Sequence, residues 1–140
     1  MKTIKIKEHI MKRFLFILVI VFVFSVAVFT DETSDKVDEL YIKAVKAYNT
    51  GNILTAIKVS SDIIYMDKNF VLGYLMQAKC NITWRNYSTA HSLINRYKEL
   101  RQAGIEPRNI QKYNEYDEIS SYDDDANEIA DECKFDTASY

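Results

Sequence analysis

Few residues in these 140 have side chains suited to chemistry. There are two histidines and two cysteines. His9 lies in a basic, N-terminal stretch. His91 falls at a helical position where packing is expected, and no carboxylate or nucleophile stands at helical spacing beside it to form an acid-base pair. Asp123-Asp124-Asp125-Ala126-Asn127 begins like a calcium loop. That loop needs a glycine at its sixth position and a bidentate glutamate at its twelfth. Here those places hold Glu128 and Lys134. The run is better read as an acidic helix N-terminus, which suits the helix dipole. Cys80 and Cys133 are permitted a disulfide if the chain is exported. The strict geometry of such a bond makes two buried free thiols the expectation. Asn81-Ile82-Thr83 and Asn86-Tyr87-Ser88 match the N-glycosylation triplet, the first near a packed helix end where a glycan would clash, so chance matching is expected. No catalytic residue, metal ligand or cofactor site is expected.

Charge narrows the partners. The formal net charge is −2, but the two ends differ. Residues 1–13 carry Lys2, Lys5, Lys7, Lys12 and Arg13 against Glu8. From Glu115 onward the chain is acidic: Asp117, Glu118, Asp123, Asp124, Asp125, Glu128, Asp131, Glu132 and Asp136 face only Lys134. No basic stripe with interleaved aromatics lies on one face, so nucleic acid is a poor partner.

The length allows one small domain with appendages. A single proline and three glycines leave little room for a turn-rich β protein, and an all-α fold is expected. Phe14 to Phe29 is a run of 16 residues without a charge, flanked by Lys12-Arg13 and Asp31-Glu32. Basic flank, apolar centre and the small Ser25-Val26-Ala27 make a signal-peptide pattern. An uncleaved anchor is the alternative. As a helix the run spans ~24 Å, short of the ~30 Å hydrocarbon core. Either reading exports the remainder. Residues 1–30 are therefore a signal peptide or membrane anchor, and 31–36 a linker in which Ser34 or Asp35 caps the next helix.

Four helices follow, at about 36–49, 53–66, 70–84 and 87–102. Gly51 suits a left-handed helix end and Asn52 a cap. Gly104 ends the fourth helix, and Pro107 is placed to open the next. Ile110, Tyr113, Tyr116 and Ile119 suggest a fifth helix. Ser120-Ser121 can cap a sixth, in which Tyr122, Ala126, Ile129, Ala130 and Cys133 share a face. Residues 105–140 are thus a degenerate helical hairpin whose acidic outer face closes the stack, or a partly disordered acidic tail.

A 34-residue offset relates the first two helix pairs. Ala44 meets Ala78, Asn52 meets Asn86, Thr55 meets Thr89, Ala56 meets Ala90, Ile53 meets Tyr87 and Leu40 meets Tyr74. This resembles the tetratricopeptide repeat (TPR), a helix-turn-helix unit of that period. The resemblance covers Val37 to Gly104, about half the chain. Its landmarks include the large residue opening the first helix, the small Ala44 and Ala78, the aromatic Tyr48 and the turn Gly51-Asn52. In the second copy Ile82 replaces the aromatic, Arg85 the turn glycine and His91 the Ile57. Lys68 and Gln102 stand where the family has a closing proline.

The resemblance implies a short solenoid of antiparallel helix pairs, with residues 37–104 forming two repeats. It further implies a concave groove lined by the first helices. The matching positions are Tyr41, Val45, Tyr48, Asn49, Leu75, Lys79, Ile82 and Thr83, suited to an extended peptide or partner helix. The alternative is that the tyrosines pack between helices. The family's carboxylate clamp needs more basic residues than Lys79 and Lys46 supply beside Asn49. The acidic face from Asp123 to Glu132 is the second candidate surface. The expectation is an exported, non-enzymatic adaptor or scaffold of the cell envelope, touching membrane only through an uncleaved N-terminus. Its rivals are a membrane-tethered stub that self-assembles by stacking, or an accessory subunit of an envelope enzyme.

Overall fold

In the computed structural model the backbone is described over residues 2–108, 110–115 and 122–137, and the side chains over the same residues except 21–31, 110–111 and 135–137. All regular structure among the described residues is helical. The elements are α1 (Lys2–Asn49), α2 (Ile53–Met66), α3 (Val71–Thr83), α4 (Tyr87–Gln102), α5 (Ile110–Tyr113) and α6 (Tyr122–Thr137). The chain divides into two units, Met1–Asp35 and Lys36–Tyr140.

The first unit is helical, and its described side chains from residue 2 to 20 are exposed. Among the described residues no helix is long and apolar enough to cross a membrane. The second half of the apolar run, residues 21–29, has side chains outside the description. The expected linker 31–36 is instead helical. No glycine or proline occurs anywhere in α1 to stop it. Ser34 and Asp35 therefore lie inside the helix and do not cap it.

In the second unit the chain reverses twice by the same construction. The amide of Asn52 donates to the carbonyl of Ala47 at 2.8 Å, and that of Asn86 to the carbonyl of Asn81 at 2.8 Å. The amide of Gly51 donates to Tyr48 at 3.0 Å, and that of Arg85 to Ile82 at 2.8 Å. These are the bonds of a Schellman ending, which needs a left-handed residue. Gly51 supplies it at φ 78° and Arg85 at φ 59°. An arginine takes this conformation only at some cost. A third ending follows α4, where Gly104 has φ 83° and Ile105 donates to Leu100 at 3.0 Å. Asn52 caps α2, its Oδ1 accepting from the Thr55 amide at 3.2 Å. Asn86 makes no such cap; its amide instead donates to Asn81 Oδ1 at 3.1 Å.

The offset pairs also share burial: Ala44, Ala78, Ala56 and Ala90 are each 0% exposed. Small side chains at these points let the helices approach, and Ile63, Leu72 and Ile94 fill the space between them. Each such aliphatic side chain, fully buried, contributes roughly 1.5–3 kcal/mol. At Gly73 the side chains of α2 come close to the α3 backbone. A Cβ there would come within 3.1 Å of the Ile63 side chain.

Between α4 and α6 the expected long fifth helix is only the four residues of α5. Tyr116 and Ile119, read as its continuation, and Ser120-Ser121, read as the next cap, lie outside the described residues. Pro107 does not open the helix, since residues 105–108 are irregular. This segment is tied down at several points. Arg108 pairs with Asp67 at 3.2 Å and sits 5.1 Å from the centre of the Phe70 ring. Tyr113 is drawn fully into the core, its ring 4.6 Å from that of Tyr41. The acidic C-terminal stretch is the helix α6, not a structureless tail. It packs chiefly on α4 and also on α3, burying Tyr122, Ala126, Ile129, Ala130 and Cys133. Asp123, Asp124 and Asp125 occupy its first turn, where the helix dipole favours them.

Candidate functional site

The sequence-predicted groove residues separate into three groups. Tyr41, Val45 and Leu75 are each 1% exposed and belong to the core. No partner reaches them while the fold is intact, which corrects their expected place on an open groove. Tyr41 is covered by Phe70, with ring centres 5.5 Å apart, and by Tyr113. No local spacing shows that Tyr113, so far along the chain, returns to cover it. Asn49 and Thr83 are exposed at the ends of α1 and α3. The Thr83 hydroxyl is occupied by the Lys79 carbonyl at 3.1 Å.

Tyr48, Lys79 and Ile82 are brought together. They line a cleft of about 200 Å³, with Asp125, Glu128, Ile129 and Glu132 of α6 forming the opposite wall. Their helical spacing explains the convergence. Lys79 and Ile82 are three apart on α3, and the four α6 residues follow one another at intervals of three, one and three, on a single face. Both isoleucines and the Tyr48 ring supply apolar surface, and the carboxylates supply charge. Lys79 is not the free cation expected. Its ammonium lies 2.7 Å from Asp125, with the two side chains 14% and 26% exposed. Three carboxylates thus face one ammonium, and the cleft is acidic.

The spacing places the α6 carboxylates on an outer face and Ile129 on the apolar face with Tyr122, Ala126, Ala130 and Cys133. That these carboxylates meet α3 and Tyr48 is not legible, because their neighbours in the cleft lie on helices distant in sequence.

A polar cluster fixes the start of α6 and hence its register against α4. Arg101 clasps Asp123 with two bonds, Nε to Oδ1 at 3.1 Å and Nη2 to Oδ2 at 3.0 Å. The Tyr97 hydroxyl donates to the same Oδ1 at 2.8 Å. The Arg101 guanidinium, and then the Tyr97 hydroxyl, hold the Asp123 carboxyl below the usual carboxylate range. Burial, followed by the bond to Asp123, pushes the Tyr97 phenol up.

The remaining candidates for chemistry are placed plainly. His91 is exposed on α4, which corrects its expected packing role: Ile57, its counterpart, is half-buried. Cys80 and Cys133 are buried free thiols, as expected, and burial pushes the Cys80 thiol up to about 12. Asn81 is 6% exposed, with its amide donating to the Gln77 carbonyl at 2.8 Å. Among the described residues no group of three or more His, Cys, Asp or Glu side chains is arranged to hold a metal ion. Compared with known proteins, the chain matches no family model, no curated protein and no solved structure.

Proposed function

We propose that the chain is a non-enzymatic, tetratricopeptide-like protein-interaction module, exported to the cell envelope and working by contact through one cleft. The observation that carries this reading is the cleft itself, where Tyr48 and two isoleucines meet a charged wall. An aromatic and aliphatic floor beside charged groups suits a side chain of a partner protein better than a reacting substrate. The 34-residue recurrence of turn and burial supports the repeat reading. Export is supported by the basic flank and by apolar side chains such as Phe14, Phe16 and Leu18, which are 57% to 69% exposed and find no cover. Whether residues 1–30 are removed or kept as an anchor is answered by the N-terminal sequence of the mature protein.

The test uses the full chain, immobilised and presented with envelope extract, in parallel with Tyr48→Ala. Tyr48 is half-buried and packs against the core, so the substitution should lower stability, but by less than it weakens a true partner, expected at ~1–2 kcal/mol or more. Capture that is indifferent to Tyr48→Ala would remove the cleft from the function.

A second reading, self-assembly of a tethered stub, is favoured by Leu54 and Tyr65 on α2, which are 67% and 87% exposed. They are eleven residues apart and so share a face. Sedimentation of wild type and Leu54→Ser/Tyr65→Ser separates the two: a concentration-dependent oligomer lost in the double variant belongs to the stub.

A further inference from the structure

Taking the chain as a protein-interaction module, we infer that the cleft receives a lysine or arginine side chain from a basic segment of the partner. The walls suit the two parts of such a side chain. Ile82 and Ile129 offer apolar surface to its alkyl stem. Tyr48 lines the same cleft and adds an aromatic surface, which suits a cation. Lys79 already demonstrates the fit from within the chain: its stem is largely covered and its ammonium rests on Asp125.

The other two carboxylates, Glu128 and Glu132, pair with no described cation. They stand one turn apart on the same face of α6, where like charges repel. Asp125 has its lysine; these two have only each other. An incoming ammonium or guanidinium removes that repulsion and gains charge-assisted hydrogen bonds. An acidic or phosphorylated segment meets the opposite sign and is turned away.

The probes are three fluorescein-labelled peptides of one length, built of alanine and serine, whose two central residues are arginine, glutamine or glutamate. Binding to the full chain is read by fluorescence anisotropy. The arginine peptide should bind about ten-fold more tightly than the glutamine peptide, a difference of about 1.4 kcal/mol. Its affinity should fall as salt rises from about 50 to about 500 mM. Glu128→Gln/Glu132→Gln should abolish the preference. Both side chains are exposed, so the variant should melt with the wild type; if it does not, Glu132→Gln alone should halve the gain in binding free energy.

Equal binding of the three peptides, preference for glutamate, no binding by any of them, or an arginine preference that survives the glutamine substitutions would overturn the inference. Such a result, with Tyr48-dependent capture retained, leaves the module reading standing with a different ligand. Capture independent of Tyr48 brings down the module reading as well.

Discussion

Asp38 is a buried acid held by partners far along the chain. Its carboxylate is buried, with the residue 2% exposed. It accepts from the Tyr113 hydroxyl and from the Lys112 ammonium at 3.2 Å. A buried charge must keep its donors or lose the solvation that folding removed. Tyr113→Phe should therefore destabilise by about 1–3 kcal/mol, read as a lower urea midpoint, although it deletes one oxygen and little packing. An unchanged midpoint would mean that Asp38 is satisfied without Tyr113. Asp123 gives the complementary, pH-dependent case. Its folded pKa lies below the unfolded value of about 3.9. A depressed carboxylate contributes stability that is fully present above the unfolded pKa and is lost as pH falls through the folded one. Asp123→Asn should thus lower stability at pH 7 and flatten its fall below about pH 4. The contribution is modest, because the Asp123 side chain is 54% exposed. Parallel denaturation of both proteins at neutral and acidic pH checks the sign. A slope in the variant equal to that of the wild type would place the acid sensitivity elsewhere.

The elements show what the sequence disclosed and what it withheld. Gly51, Asn52, Gly104 and the paired alanines are local signals, because turn chemistry and close helix approach are decided by nearby residues. Each of them is where the spacing put it. Arg85 adopts the left-handed conformation of Gly51 despite its side chain, so the surrounding turn dictates the backbone there. The run from 31 to 36 misled because polar composition resembles a linker, whereas only glycine, proline or a competing cap would stop the helix. The inward face of α6 was legible from its spacing and is buried as expected; the destination of Tyr113 was not, since its partners Tyr41 and Asp38 lie far away in sequence. Tyr113 covers Tyr41, and α6 sets Glu128 and Glu132 opposite Tyr48. The helix register can be tested through Ala56 and Ala90, both 0% exposed at equivalent positions. Ala56→Trp and Ala90→Trp should each cost ~1–3 kcal/mol or more by overpacking. An unchanged urea midpoint for either would show that α2 or α4 does not meet its neighbour at that alanine.

At the scale of the whole molecule, the core belongs to one unit. Every buried hydrophobic side chain among the described residues lies between Val37 and Cys133. Residues 36–140 should therefore fold without the first unit. Starting at Lys36 cuts α1, but the new first turn carries Asp38 and Glu39, whose charges oppose the helix dipole favourably. A small helical piece buries little of its apolar surface, so residues up to the end of α4 alone should be marginal. In this chain α6 covers Ile94 and Tyr97 from the far side, and Tyr113 seals the near end against Tyr41 and Phe70. A piece ending at residue 104 loses both covers. The expected outcome is a pair of contrasting urea curves followed by circular dichroism at the helical band. Residues 36–140 should unfold in one sigmoidal transition, with a slope of roughly 1–3 kcal/mol per molar urea. Residues 36–104 should lose signal gradually, without a folded baseline. If the shorter piece unfolds as sharply and at the same midpoint, α6 adds nothing to the core. It would then be held by little more than the Lys79–Asp125 pair to α3 and the Arg101–Asp123 pair to α4, and the cleft would open with the salt concentration.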